Sequence, residues 1–324
     1  MSEKSRESRL DVAPIIDVKG RRVWDSRGRA TVEAEVTVGR GSAHAMGRAI
    51  APAGASTGTG EARCIDTALA VKNVNFSIRA ALLGRDASDQ AAIDQRMIDL
   101  DGTPDKARLG ANATVAVSLA CAHAAAGAAN QPLWKYLAGE RHVCLPVPQV
   151  QIFGGGAHAT GSVDVQDYMV ICTGAGSFDE AMQWTSEIYA AAGARLARRG
   201  MLRGVADEGG FWPGFKSNEE ALVELVAAIT DAGLAPGTDV CIALDIAATQ
   251  LYQSGRYQLA LEKRALSAEQ WHAMLLRWTE RYLSSRLKTP SPSTIATPWK
   301  LSPGPPARAS RLSAMIFSAP RLQG

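Results

Sequence analysis

Residues 240–245, Val-Cys-Ile-Ala-Leu-Asp, set a short apolar run ahead of a single carboxylate. Such a run reads as a strand buried on both faces, and in an α/β barrel its last residue projects from the C-terminal tip of the sheet. Asp245 is then either a site carboxylate or the cap of a helix beginning in Ile246-Ala247-Ala248, and these residues alone leave both readings open. Residues 150–153 and 164–172 are further short apolar strands. Long helical stretches separate the strands. Ser177 with Glu180, Ser217 with Glu220 and Ser267 with Gln270 fit the capping box, and Gly200 and Gly233 stand where C-caps belong. Strands feeding long helices predict an α/β barrel. His158 follows residues 152–153, Asp207-Glu208 follow 202–205 and Asp245 follows 240–244, so a shared acidic site is expected at the strand ends.

Upstream the pattern differs. Residues 31–38 alternate, with Val32, Ala34, Val36 and Val38 on one face and Thr31, Glu33, Glu35 and Thr37 on the other, as a half-buried antiparallel strand does. Asp25-Ser26-Arg27-Gly28 is turn chemistry, so residues 15–24 and 31–38 are expected to form a hairpin. Residues 86–100 and 112–126 read as helices, the second so apolar that it must pack on several sides. Residues 13–138 are thus expected to form a small α+β domain. Leu145-Pro146-Val147-Pro148 leads, extended, into a second domain over 139–282, between a disordered segment at 1–12 and a disordered tail at 283–324.

With 324 residues and 46% hydrophobic content the chain can bury a large core. Its formal charge of +3 is unevenly placed: the last 44 residues hold seven basic side chains and no acid, which leaves 28 basic and 32 acidic residues upstream. The main body therefore lacks the electrostatics of a nucleic-acid binder. Five scattered cysteines read as reduced core thiols of a cytoplasmic protein. No apolar leader opens the chain and no run of about 18 apolar residues occurs, so neither export nor membrane insertion is expected.

In Ala206-Asp207-Glu208-Gly209-Gly210-Phe211, adjacent carboxylates precede two glycines that would let backbone approach a ligand closely. A surface turn is the alternative. Gly154-Gly155-Gly156-Ala157-His158 is either a loop presenting His158 or a linker. Residues 51–60, APAGASTGTG, are a ligand-covering loop or a spacer.

Taken in order, DSRG (25–28), GASTG (54–58), LGANA (109–113), LPVP (145–148), GGAHA (155–159), VQDYM (165–169), DEGGF (207–211), KSNEEAL (216–222) and ALDIAA (243–248) resemble the enolase family. The resemblance implies an N-terminal α+β cap domain, then an enolase-type α/β barrel, in a glycolytic carbon–oxygen lyase. Such an enzyme reversibly dehydrates 2-phosphoglycerate to phosphoenolpyruvate with Mg²⁺, as a cytoplasmic homodimer. On the matching positions Glu208 resembles the general acid that helps the C3 hydroxyl leave. His158 resembles the substrate-side histidine, with Gln166 and Asp167 as its polar support. Asp245 resembles the first of three carboxylates on one magnesium, and Ser56 lies on the loop that binds a second.

Four positions depart from the family pattern. Asp167 stands where Glu is usual, Ala206 where Gly is usual, Gly154 where Asn is usual, and Gln250 where an acid is common. The larger departure is the tail. Beyond Trp278 the family continues with an SIED-like strand, a GDD motif and a KxNQ motif carrying the catalytic lysine, and none occurs here. Pairing the third base of each codon with the first two of the next, residues 284–302 permit IETEDPFAEHDRDALEALT. Residues 309–317 permit VQVVGDDL in the same shifted frame. A frameshift near Tyr282 accounts for both motifs and for a tail that holds seven of the fifteen prolines. The barrel is then incomplete and the chain as written lacks the base and two metal carboxylates, so it is expected to be inactive. A binding scaffold, or a product without function, is the alternative.

Overall fold

The computed structural model describes residues 13–40, 42–54 and 60–283. The expected disorder of residues 1–12 and of the tail beyond 283, and the role of Ser56, fall outside the described residues. Contacts divide the chain into two compact units, Met1–Val143 and Cys144–Gly324.

The first unit opens with β1 (Ile15–Trp24) and β2 (Ala30–Arg40), paired antiparallel with Val18 opposite Val36. The turn between them closes as its residue types require. Asp25 Oδ1 accepts the N–H groups of Arg27 and Arg29, each at 2.9 Å, and Gly28 takes φ +70°. Val32, Ala34, Val36 and Val38 are all fully buried, and each such Val adds about 1.5–3 kcal/mol of transfer free energy.

Sequence reading missed a third strand, β3 (Ala43–Ile50), which pairs with β2. It also missed α1 (Thr67–Asn73), which runs through a π-helical turn, Val74–Ile78, into α2 (Arg79–Leu82). The helix expected from residue 86 begins later, as α3 (Gln90–Asp101), because Asp89 caps it by accepting the N–H of Ala92. Next come α4 (Ala111–Ala128) and α5 (Leu133–Ala138). Helix α4 is long and apolar enough to cross a membrane by composition, yet most of it is buried inside this unit. Gly47 explains how it packs: a Cβ there would stand 2.1 Å from Ala120 O and 2.2 Å from Ala124 N. Strand and helix backbones therefore touch where β3 has no side chain.

The second unit holds β4 (Gln149–Gly154), β5 (Asp167–Ile171), α6 (Phe178–Arg198), β6 (Leu202–Val205), β7 (Phe211–Pro213), α7 (Asn218–Asp231) and β8 (Cys241–Asp245). Then follow α8 (Ala248–Leu251), a small sheet of β9 (Tyr252–Gln253), β10 (Arg256–Leu259) and β11 (Arg264–Leu266), and α9 (Ala268–Trp278). The five-stranded sheet has the order β6-β7-β4-β5-β8, an incomplete barrel wall among the described residues. Within it β5 runs antiparallel to both β4 and β8. Residues 202–205 are likewise one arm of a β6–β7 hairpin and not a strand feeding a helix.

Of the three expected capping boxes only Ser267–Gln270 closes reciprocally. Ser177 and Ser217 do cap their helices, but Glu180 and Glu220 reach one residue further back, to the N–H groups of Gly176 and Lys216. Gly200 and Gly233 take the left-handed conformation that ends α6 and α7. The cysteines divide: Cys121 and Cys172 are buried and Cys241 is half-buried, whereas Cys64 and Cys144 are exposed and are not the core thiols expected.

Candidate active site

At the end of β4 the chain turns sharply through Gly154, Gly155 and Gly156 to place His158. Gly156 has φ +49°, and a Cβ on Gly155 would meet Val165 O at 2.3 Å. Only glycine lets the loop lie this close to the segment that enters β5. His158 is thereby buried. Its Nδ1 lies 2.5 Å from Asp207 Oδ1, while Nε2 faces Glu208 Oε1 at 3.4 Å and Asp167 Oδ1 at 3.8 Å. The contact with Asp207 fixes the ring's orientation and leaves Nε2 facing the other two acids.

Asp207 and Glu208 lie in the turn of the β6–β7 hairpin, closed by Ala206 N–H to Gly210 O at 2.7 Å. The two glycines that follow have separate roles. Gly209 takes φ +97°, and a Cβ on Gly210 would meet Gln151 Oε1 at 2.4 Å. The Gln151 side chain approaches this backbone, its Oε1 accepting the Gly210 N–H at 2.8 Å. From α6, Tyr189 donates its hydroxyl to Gly209 O at 2.8 Å and stacks on Phe211, with centroids 4.2 Å apart. The acidic turn is thus braced by a helix.

Asp167 is buried at the start of β5. Gln151 Nε2 donates to its Oδ1, and Gln166 Nε2 to its Oδ2 at 3.2 Å. Burial pushes the Asp167 carboxyl above the usual range; the two amide donors and His158 oppose that, and the Asp245 charge adds to it. Asp245 faces Asp167 across the β5–β8 ladder. Its Oδ1 accepts the Ala247 N–H at 3.0 Å, so it both ends its strand and ties down the next turn. Helix α8 starts at Ala248 without a side-chain cap.

The structure therefore gathers His158, Gln166, Asp167 and Glu208, with Asp245 beside them on the neighbouring strand. Reading the sequence missed Gln151 and the pairing of Asp207 with His158. The one available signal for Gln151 was an amide set among Val150, Ile152 and Phe153.

The enolase N-terminal domain model matches residues 15–137, and the enolase C-terminal TIM barrel domain model matches residues 142–286. The chain belongs to the enolase family. Enolase domains suggest a lyase-type enzyme, and in this enolase-family chain His158, Asp167 and Glu208 offer ligand atoms all within 4.8 Å of one another, enough to hold a metal ion. Two of the departures from the enolase pattern also meet here. A Cβ on Gly154 would stand 2.5 Å from the Ala206 methyl. Gly154 and Ala206 therefore share one small space, and a side chain added at Gly154 competes with the Ala206 methyl for it.

Proposed function

We propose that residues 13–282 are built for the phosphopyruvate hydratase reaction, the reversible dehydration of 2-phosphoglycerate to phosphoenolpyruvate in glycolysis. One observation carries the reading: a buried histidine and two carboxylates converge at one end of the sheet, on the segments that resemble the enolase substrate site. Glu208 donates a proton to the departing C3 hydroxyl, a role suited to a half-exposed acid beside an imidazole. His158, held by Asp207, binds the substrate side. Gln166 Oε1 is buried without a hydrogen-bond donor, as is expected of an atom that accepts a substrate hydroxyl. Asp167 keeps Gln166 oriented.

Mg²⁺ is the cofactor implied by the family. Asp245 is a hard oxygen donor, and the neighbouring Asp167 is already engaged by Gln151 and Gln166. One carboxylate with local backbone duties falls short of the oxygen set magnesium prefers, so no step is assigned to it. Ser56 would be a second ligand by family.

We further propose that the polypeptide as written turns over negligibly, because residues 283–324 resemble a shifted reading frame and supply no base. A cytoplasmic homodimer that binds neither nucleic acid nor membrane completes the reading. The test is phosphoenolpyruvate formation by purified protein. The 324-residue chain is expected to give none, and a chain translated through the frame-restored gene is expected to be active. In the restored protein Glu208→Gln should lower the rate by roughly 10² to 10⁴. A normal enolase rate from the unrestored chain would overturn the assignment of the tail. A full rate in the Gln variant would overturn that of Glu208.

A further inference from the structure

The three-stranded sheet of the first unit treats its two edges differently. On β1 the outward backbone groups are taken: the Asn75 side chain accepts the Gly20 N–H and donates to the Gly20 carbonyl, each at 2.9 Å. Ile15 N–H reaches Arg85 O, and Ile15 O accepts Gly84 N–H, both at 2.8 Å. At the other edge, β3 is hydrogen-bonded to β2 alone among the described residues. It runs for 8 residues without a proline, and such an edge is a template for another strand.

The ladder fixes which groups are open. Ala51 N–H bonds to Val32 O, and hydrogen-bonded pairs alternate along an antiparallel ladder. Ala45, Gly47 and Ala49 therefore turn their backbone groups to β2, while those of His44, Met46, Arg48 and Ile50 point away from it. The side chains of these four residues are also exposed. A second β3 laid antiparallel and centred on Gly47 sets His44 opposite Ile50 and Met46 opposite Arg48, so every outward group finds a partner. A shift one way sets Arg48 against its own copy and His44 against Pro52, which has no N–H. A shift the other way runs Ile50 past the start of the facing strand.

The helix behind this edge fits the same pairing. Helix α4 packs on both β2 and β3, so two-fold related copies lie about two strand spacings apart, roughly 10 Å, within reach of helix–helix packing. Its exposed stripe is Val115, Leu119, His123 and Gly127, one residue in four. Gly127 lies against Ala45 and the His123 backbone against Gly47, while Val115 and Leu119 line one groove with Ile50, so the stripe follows β3 along its length. We propose that the chain self-associates as a two-fold dimer through the β3 edge, joining two three-stranded sheets into one that both α4 helices back. With the β1 edge taken, this pairing closes at two copies and does not run on as a filament. The surface does not rest on the dehydratase reading; it takes up only the homodimer proposed there and supplies its interface.

The test is sedimentation equilibrium of the full 324-residue chain across a dilution series, with variants at Met46, which is 53% exposed. A dimer is expected. Met46→Lys sets a cation against the partner's Arg48 and should weaken dimerisation roughly tenfold, whereas Met46→Glu, opposite the same guanidinium, should tighten it by a similar factor. Met46→Pro removes only an outward N–H, which an edge strand tolerates, and should leave a monomer. Amide-exchange protection in β2 should be unchanged in all three. If the Pro variant does not fold, the opposite signs of the Lys and Glu variants still decide. A dimer equally tight in those two overturns this interface and leaves the homodimer to another surface. A chain that is monomeric throughout the series overturns both, and assembly that grows past two copies overturns the closed pairing.

Discussion

Asp101 in the first unit and Asp167 in the second are both buried carboxylates, and their surroundings act on them in opposite directions. Burial pushes Asp101 up, but hydrogen bonds from the Thr103 hydroxyl and from the N–H groups of Leu109 and Thr103, with the charge of Lys106, hold it below the usual range. It clamps the end of α3 to the start of α4, accepting Leu109 N–H at 2.6 Å. Asp167 receives only two side-chain amides and faces Asp245, so burial prevails and its carboxyl is raised. One carboxylate is satisfied for the sake of the fold. The other has one neutral amide donor on each oxygen and lies beside a histidine and a second acid.

The comparison can be broken most severely at the first unit's helix–sheet contact. Gly47→Ala drives a methyl into the α4 backbone and should cost roughly 3 kcal/mol or more, seen as lost amide-exchange protection in α4 and β2. Protection in β5 and β8 should persist; equal loss there would show that the units do not stand separately. Gly154→Asn should cost about 1–3 kcal/mol in the second unit by colliding with Ala206, and Ala206→Gly should recover most of that loss. Additive denaturation midpoints in the double-mutant cycle would show that the two positions do not share this space.

The two aspartates themselves give opposite pH signatures. Asp101, lowered on folding, adds stability above its ordinary value near 3.8 that is lost as pH falls through its folded value. Asp101→Asn should therefore cost about 1–3 kcal/mol at neutral pH and much less below about pH 4. Asp167, raised on folding, binds more protons in the native state than in the unfolded chain, so its contribution declines as pH rises above that ordinary value. Asp167→Asn should flatten the decline and leave neutral stability equal or higher. Urea unfolding across pH 3 to 7 checks both, and parallel profiles would abolish the contrast. The smallest effect belongs to the closed capping box, where Ser267→Ala should cost about 1 kcal/mol, measured as a lower thermal midpoint.

Much of this is legible in the residues alone. Alternation marks β2, DSRG marks its turn, and the apolar runs mark β4, β5 and β8, because each signal lies within a few consecutive residues. Strand β3 escaped because its inward face carries only small residues, Ala45, Gly47 and Ala49, to admit a helix backbone, while the larger Met46 and Ile50 lie on the exposed face. The β6–β7 hairpin escaped because its arms are short and its turn is acidic.

The site divides along the same line. His158, Gln166, Asp167, Glu208 and Asp245 were each marked by local motifs, and the order of those motifs along the chain was enough to indicate the family. What the sequence could not specify was the partnership among them. Gln151 lies 59 residues from the Gly210 N–H it accepts, and Asp207 lies 49 from the His158 ring it holds. Only the packing of β4 against the β6–β7 hairpin brings them together. Residue types and their local spacing determined which chemistry the chain carries; the tertiary structure decided which lone pairs face one another, because that depends on contacts between segments whose sequences do not encode each other's distance.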